Sequence, residues 1–389
     1  MSRAFQTLLS YAFRPFFLLN GWFAMGAITL WVIGLHGAAP EALPVASPLW
    51  HAHEMLFGFV MAAIAGFLLT AVATWTGRPA VHGATLAWLV AAWLAGRLAM
   101  FWVTAWPPIL VAVTDLLFPA FLVALIGREV FAGGSRRNAP IVVIVLLLAV
   151  LNLGYHAGSL RWLPDQERLV LYLAMHVVLL LITIIAGRIV PSFTANWLRQ
   201  RGATRLPRTG GLLEPLVILA TLLTGIAGSV GPGHAITSLL AVITAILHAL
   251  RLARWRGLAT TTEPLLFILH VAYAWLPLGY ALLGIAAWSS AVPFTAALHA
   301  LSMGAIGSMI LAVTTRVALG HTGRPLHAAR LTTLAYGVFM LAVTARITGP
   351  MVDGAALPWI DAAAAGWVVT FALFSWVYWP ILTRPALTD

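Results

Sequence analysis

The sequence predicts an all-α polytopic membrane protein of about twelve transmembrane helices, grouped as three pseudo-threefold-related four-helix units. Three observations predict it. Of 389 residues, 61% are hydrophobic and 8% charged, a balance foreign to ordinary soluble domains. Apolar runs of about twenty residues recur from end to end, long enough to cross a hydrocarbon core of roughly 30 Å. The chain also repeats: His53, His176 and His299 are spaced 123 residues apart, as are Arg78, Arg201 and Arg324.

The spans are expected near 16–37, 52–75, 82–104, 107–131, 139–157, 168–197, 212–230, 233–254, 262–288, 292–317, 329–349 and 355–382. They form one transmembrane domain over 1–389, with internal repeats at approximately 15–137, 138–260 and 261–382. The N-terminal stretch MSRAFQTLLSYAFRPFF has no small-residue cleavage site after its apolar part, so no removable signal peptide is expected.

Arginine placement orients the spans. The termini and the loops after even-numbered spans hold most of the arginines, including Arg78, Arg128, Arg199, Arg201, Arg254 and Arg324, whereas the opposite side has only Arg161 and Arg168. By the positive-inside rule both termini are expected to be cytoplasmic, with the lipid bilayer as the chain's medium. The net charge of +11 belongs to this topology, and no nucleic acid partner is expected. Spans two, six and ten then begin outside, which sets each repeated histidine roughly 3 to 12 Å below the outer face. The longest outer loop, 38–50, carries Pro44 and Pro48 and leads into His51 and His53, a cap over whatever the histidines hold.

Cysteine is absent. Disulfides, thiolate-held iron–sulfur clusters, c-type haem and Cys-bridged copper are thereby excluded. A metal here must use His, Met or carboxylate. An imidazole inside a bilayer is costly unless hydrogen-bonded or metal-bound. Three at equivalent repeat positions make His53, His176 and His299 the leading ligands. His51, two residues from His53, faces about 200° away on an ideal helix and suits a second site. Glu54 could accept an imidazole N–H as an outer-shell partner or relay a proton. Met175, Met303 and Met309 are weaker ligands than core residues.

Two hairpins set Arg97 opposite Asp115 and, about a turn near 353, Arg346 opposite Asp361. Their plain reading is structural ion pairing. The sharper one has Arg97 or Arg346 meeting an anionic group such as a haem propionate. Gly58 and Gly304 sit five residues inside their histidines, suited to a planar ligand or a close helix. The remaining histidines, His156 and His248 among them, read as non-ligating, with His270 the exception most worth keeping.

The segments WHAHEMLFGFVMAAIAGFLLTAVATWTGRP and HALSMGAIGSMILAVTTRVALGHTGRP resemble the NnrS family of bacterial inner-membrane proteins. The resemblance covers essentially the whole chain. It implies a haem- and copper-containing protein of the nitric oxide response, with b-type haem (heme b) and copper carried by His53, His299, His176 and His51. The span pattern is also similar to the central subunit of haem–copper oxidases and nitric oxide reductases. Departures from that pattern matter: span ten has only His299, span seven has no histidine, and Leu180 stands four residues after His176.

Two geometries are open at this stage. His53 and His299 could share haem while His176 and His51 hold copper, or all three repeat histidines could surround one copper. The functional expectation is a metalloprotein that binds or reductively detoxifies nitric oxide, fed by an unidentified electron donor. If an enzyme, it is an oxidoreductase of the nitric oxide reductase type. The alternatives are a non-catalytic haem or nitric oxide sensor or buffer, and a secondary transporter.

Overall fold

The computed structural model describes residues 3–40, 43–352 and 356–387, with no strand among them. A short helix, Arg3–Leu8, precedes twelve long apolar ones. These are α1 Phe13–Leu35, α2 Pro48–Thr76, α3 Gly83–Phe101, α4 Pro108–Ala132, α5 Arg136–Ser159 and α6 Glu167–Arg199, followed by α7 Leu213–Val230, α8 Ala235–Ala253, α9 Pro264–Ala286, α10 Phe294–Gly320, α11 Arg330–Val352 and α12 Ala356–Thr383. Each coincides with a predicted span to within a few residues. The chain is a multi-pass membrane protein.

Local chemistry sets where α2 begins and ends. Ser47 accepts a hydrogen bond from Trp50 N at 3.4 Å, and Pro48 supplies the first helical position. Gly77 ends the helix in the left-handed region, φ +67°, and Gly323 adopts the same angle just after α10. The two Thr-Gly-Arg-Pro turns are thus alike in structure as well as sequence. Of the outer loop expected to cap the histidines, Pro44–Ala46 forms one helical turn, and 41 and 42 lie outside the described residues. So does the turn near 353.

α2, α6 and α10 are the inner helices: 83%, 72% and 67% of their most apolar stretch is buried, against 33–56% for the other nine. The histidine-bearing span of each repeat is therefore the one most withdrawn from lipid.

Copies one and three share a further feature. A π-helical segment starts one residue after each histidine, Glu54–Val60 after His53 and Ala300–Gly307 after His299. Such segments insert an extra residue and free backbone groups, commonly at functional sites. Here Trp93 Nε1 donates to Gly58 O at 3.1 Å.

The glycines within these segments admit neighbouring side chains. A Cβ on Gly58 would meet the Phe23 ring at 2.7 Å and the Arg97 guanidinium at 3.0 Å, and one on Gly304 would meet the Trp275 indole at 2.9 Å. The planar groups clasped at these glycines are the protein's own rings.

Packing marks two compact units: Met1–Ala174 with Thr314–Pro325 and Trp367–Asp389, and Met175–Val313 with Leu326–Gly366. α6, α10 and α12 each pass from one unit to the other. Copies one and three are alike locally, in the π segments and the glycine turns.

Candidate metal centre

The first unit gathers a buried polar cluster from α2, α3, α4 and α5. His53, Glu54, Arg97, Asp115, Asn152 and His156 are all between 0 and 8% exposed. Close helix contacts assemble it. Gly96 lets α3 touch α4, since a Cβ there would lie 2.8 Å from Asp115 Oδ1 and 3.2 Å from its Cα. Trp50 Nε1 donates to Met100 O at 3.0 Å and ties α2 to α3. Substituting Gly96 with alanine is expected to part the helices and cost about 1–3 kcal/mol, which thermal unfolding in detergent would reveal as a lowered midpoint.

Arg97 is the hub. One terminal nitrogen pairs with Glu54 and the other with Asp115. The second oxygen of Asp115 accepts from Asn152 Nδ2 at 2.8 Å, and lies 2.9 Å from His156 Nε2 and 3.4 Å from His53 Nε2. The Nδ1–H of His53 donates to Glu54 Oε1 at 2.9 Å. Its Nε2 faces Asn152 Oδ1, also at 2.9 Å. Tyr155 and Phe57 wall the imidazole, with ring centroids 4.4 and 5.1 Å away.

Charge accounting gives the cluster its chemistry. Two carboxylates and one guanidinium leave one negative charge uncompensated in a dry interior, where an unpaired charge costs several kcal/mol. Both nitrogens of His53 face oxygens, and Asn152 must present its carbonyl oxygen there because its amide donates to Asp115. The ring meets all of these oxygens only with a positive charge at Nε2, whether a proton or a metal ion.

His53, Asp115 and His156 each offer a ligand atom, and these atoms lie within 4.8 Å of one another. A metal about 2.0–2.2 Å from each would require ligand separations of this order. The Asn152 carbonyl stands beside them as a fourth oxygen donor.

The family comparison agrees with the sequence resemblance. The family described as NnrS protein matches residues 7–386, nearly the whole chain. The chain belongs to the NnrS family. No protein of curated function matches it.

In this NnrS chain the buried cluster joins residues that the sequence reading had kept apart. His156 read as a non-ligating residue at a helix end, but it stands beside Asp115 in the cluster. Asp115 read only as an ion-pair partner, and Asn152 was not singled out. The available signal was that Asn152 and His156 are four apart, on one face of α5. Arg97 does meet Asp115, but Glu54 takes its other terminal nitrogen. A propionate would therefore have to displace an internal carboxylate. Arg346 is half-buried on α11.

The other expected ligands have separate surroundings. His51 stacks on Trp31, centroids 4.1 Å apart. His176, in the second unit, is buried against Gly225 and Gly228, and its Nδ1 has no hydrogen-bond partner. His270 is held through Nε2 by Thr194 Oγ1 at 2.8 Å, and its Nδ1 is buried without a partner. His299 is half-buried, with its Nδ1–H donating to Thr295 O at 2.7 Å.

Proposed function

We propose that this chain is a metal-binding membrane protein of the nitric oxide response, holding its metal through His53 Nε2, His156 Nε2 and Asp115 Oδ2. The observation that carries the reading is a buried cluster whose imidazole and carboxylate atoms converge at ligand spacing, with two carboxylates against one guanidinium to favour a cation there. Two imidazoles and a carboxylate suit copper(II), which outranks other first-row divalent ions on such donors. Bound there, the metal would supply a one-electron redox centre able to bind nitric oxide.

The protein's own residues do the remaining work. Glu54 fixes the tautomer of His53 by accepting from Nδ1, an outer-shell role that also raises the ring's basicity. Arg97 holds Glu54 and Asp115 apart and neutralises one of them. Tyr155 and Phe57 keep bulk water from the imidazole. Nitric oxide is small and apolar, so it can enter from lipid without a polar channel. The arginine-rich loops support an orientation with both termini in the cytoplasm and the cluster near the outer face of a bacterial cytoplasmic membrane.

Haem does not fit His53 in this arrangement. Its Nε2 is closed by Asn152 at 2.9 Å and Asp115 at 3.4 Å, leaving no open face for a macrocycle. His299 fits better. Its Nδ1–H donates to Thr295 O, the usual way a backbone carbonyl orients a ligating ring. His176, with its orphaned Nδ1, is the second residue that could hold b-type haem or a metal.

Metal analysis of purified protein, with optical and paramagnetic spectra before and after anaerobic nitric oxide, tests the reading. Expected are about one metal ion per chain at the cluster and a spectral change on adding nitric oxide. Protein free of transition metal, or metal indifferent to nitric oxide, would refute it. Nitrous oxide released from the reduced protein would make the chain an oxidoreductase; its absence would make it a binder or sensor.

A further inference from the structure

The second unit contains another buried polar set, none of it used by the proposed metal centre. It comprises Glu214 and Thr221 on α7, His248 and Arg251 on α8, and Tyr273 on α9. Thr221, His248, Arg251 and Tyr273 are 0 to 3% exposed. Gly187 on α6 makes room for it, since a Cβ there would lie 1.9 Å from the Arg251 guanidinium.

Its hydrogen bonds admit one assignment. Arg251 can only donate; it pairs with Glu214 and gives its other terminal nitrogen to Thr183 O at 2.7 Å and to Tyr273 Oη at 3.0 Å. The Thr221 hydroxyl donates to Val217 O at 2.7 Å, so towards His248 Nε2, 3.0 Å away, it must accept. His248 therefore carries its proton on Nε2 and presents a lone pair at Nδ1. Tyr273 Oη lies 2.8 Å from that lone pair. In the reverse tautomer, Tyr273 would face two donors and its own proton would have no acceptor, a buried loss of about 1–3 kcal/mol. The phenol thus donates to the imidazole.

We propose that Tyr273 is a redox-active tyrosine, with His248 as the resident acceptor of its proton. Tyr273 loses one electron to a one-electron oxidant, an oxidised transition-metal centre, which is reduced by one unit. The phenolic O–H bond breaks and the proton crosses to His248 Nδ1, forming the N–H bond of an imidazolium beside a neutral phenoxyl radical. Return of the electron reverses both movements.

The surroundings suit this role. The proton moves along an existing hydrogen bond, and Glu214 already compensates Arg251, so the new imidazolium does not face an unpaired cation. The Trp255 ring lies 4.4 Å from that of Tyr273, centroid to centroid, an oxidisable neighbour through which the electron could leave. Tyr280 supplies an internal contrast. It is equally buried and stacks on His248 at 5.7 Å and 11°, but its hydroxyl has no hydrogen-bond partner. Without an acceptor it cannot give up its proton on oxidation.

The test is independent of the proposed metal centre because it uses an external oxidant. Full-length protein is oxidised by photogenerated ruthenium(III) polypyridyl and frozen for electron paramagnetic resonance. The expected signal is a tyrosyl radical that is lost in Tyr273→Phe and kept in Tyr280→Phe. Wild type labelled with ¹⁵N-histidine should show nitrogen coupling to that radical, lost in His248→Phe. A tyrosyl signal unchanged in Tyr273→Phe, or a wild-type radical without histidine coupling, would overturn the proposal. If Tyr273→Phe does not fold, the wild-type labelling decides alone.

Discussion

Replacing Asp115 with asparagine is expected to abolish stoichiometric metal binding at the α2–α5 cluster while leaving most of the fold in place. The substitution keeps shape and one carbonyl acceptor but removes the charge. Arg97 would then be balanced by Glu54 alone, and the surplus negative charge that calls for a cation near His53 Nε2 would vanish. Loss of an outer-shell partner commonly weakens metal sites 10–100-fold. Loss of a charged ligand should exceed that, while Glu54→Gln should fall within it. Metal retained after dialysis against chelators of graded strength measures both. Wild-type affinity in Asp115→Asn would remove Asp115 from the ligand set and with it the proposed centre.

Arg97→Met should have the largest effect on stability. It leaves Glu54 and Asp115 ionised, buried and adjacent to one another through His53. Removing one partner of a buried ion pair costs about 3–5 kcal/mol, comparable to much of the stability of a whole domain. The variant is expected to unfold at markedly lower temperature, or to lose monodispersity in detergent. Adding Glu54→Gln to Arg97→Met should recover part of the loss, since the residual charge then equals that of the wild type. Thermal unfolding of the two singles and the double gives the coupling energy. If Arg97→Met melts like wild type, the charge accounting of the cluster is wrong.

Part of this site was legible in the sequence. The hairpin between α3 and α4 sets Arg97 against Asp115 by counting outward from its turn, because two antiparallel helices of equal rise stay in register. Glu54 follows His53 directly, so its nearness needed no tertiary information. His156 was not legible. Apolar residues surround these helices on nearly all sides, and hydropathy then carries little information about rotation around the helix axis. Only the lateral packing of α5 on α4 turns Asn152 and His156 toward Asp115. The Tyr273–His248 pair was hidden for the same reason, reinforced by a chain separation of 25 residues between the two rings.

The glycines teach a related lesson. Gly58 and Gly304 were visible as paired small residues, but their occupants, Phe23 with Arg97 and Trp275, come from other helices. The π segments that begin after His53 and His299 left no local signal either. Neighbouring side chains support such a segment, as Trp93 does by donating to Gly58 O.

What the sequence determined alone was the medium and the count: a bilayer, twelve crossings, an arginine-marked side and a repeated histidine helix. Span length and apolarity answer to the membrane's thickness, which is a one-dimensional constraint that a linear chain can display. Which imidazoles, carboxylates and phenols meet was decided by tertiary structure. That choice depends on the rotation and lateral packing of each helix, and these are set by contacts between residues far apart in the chain.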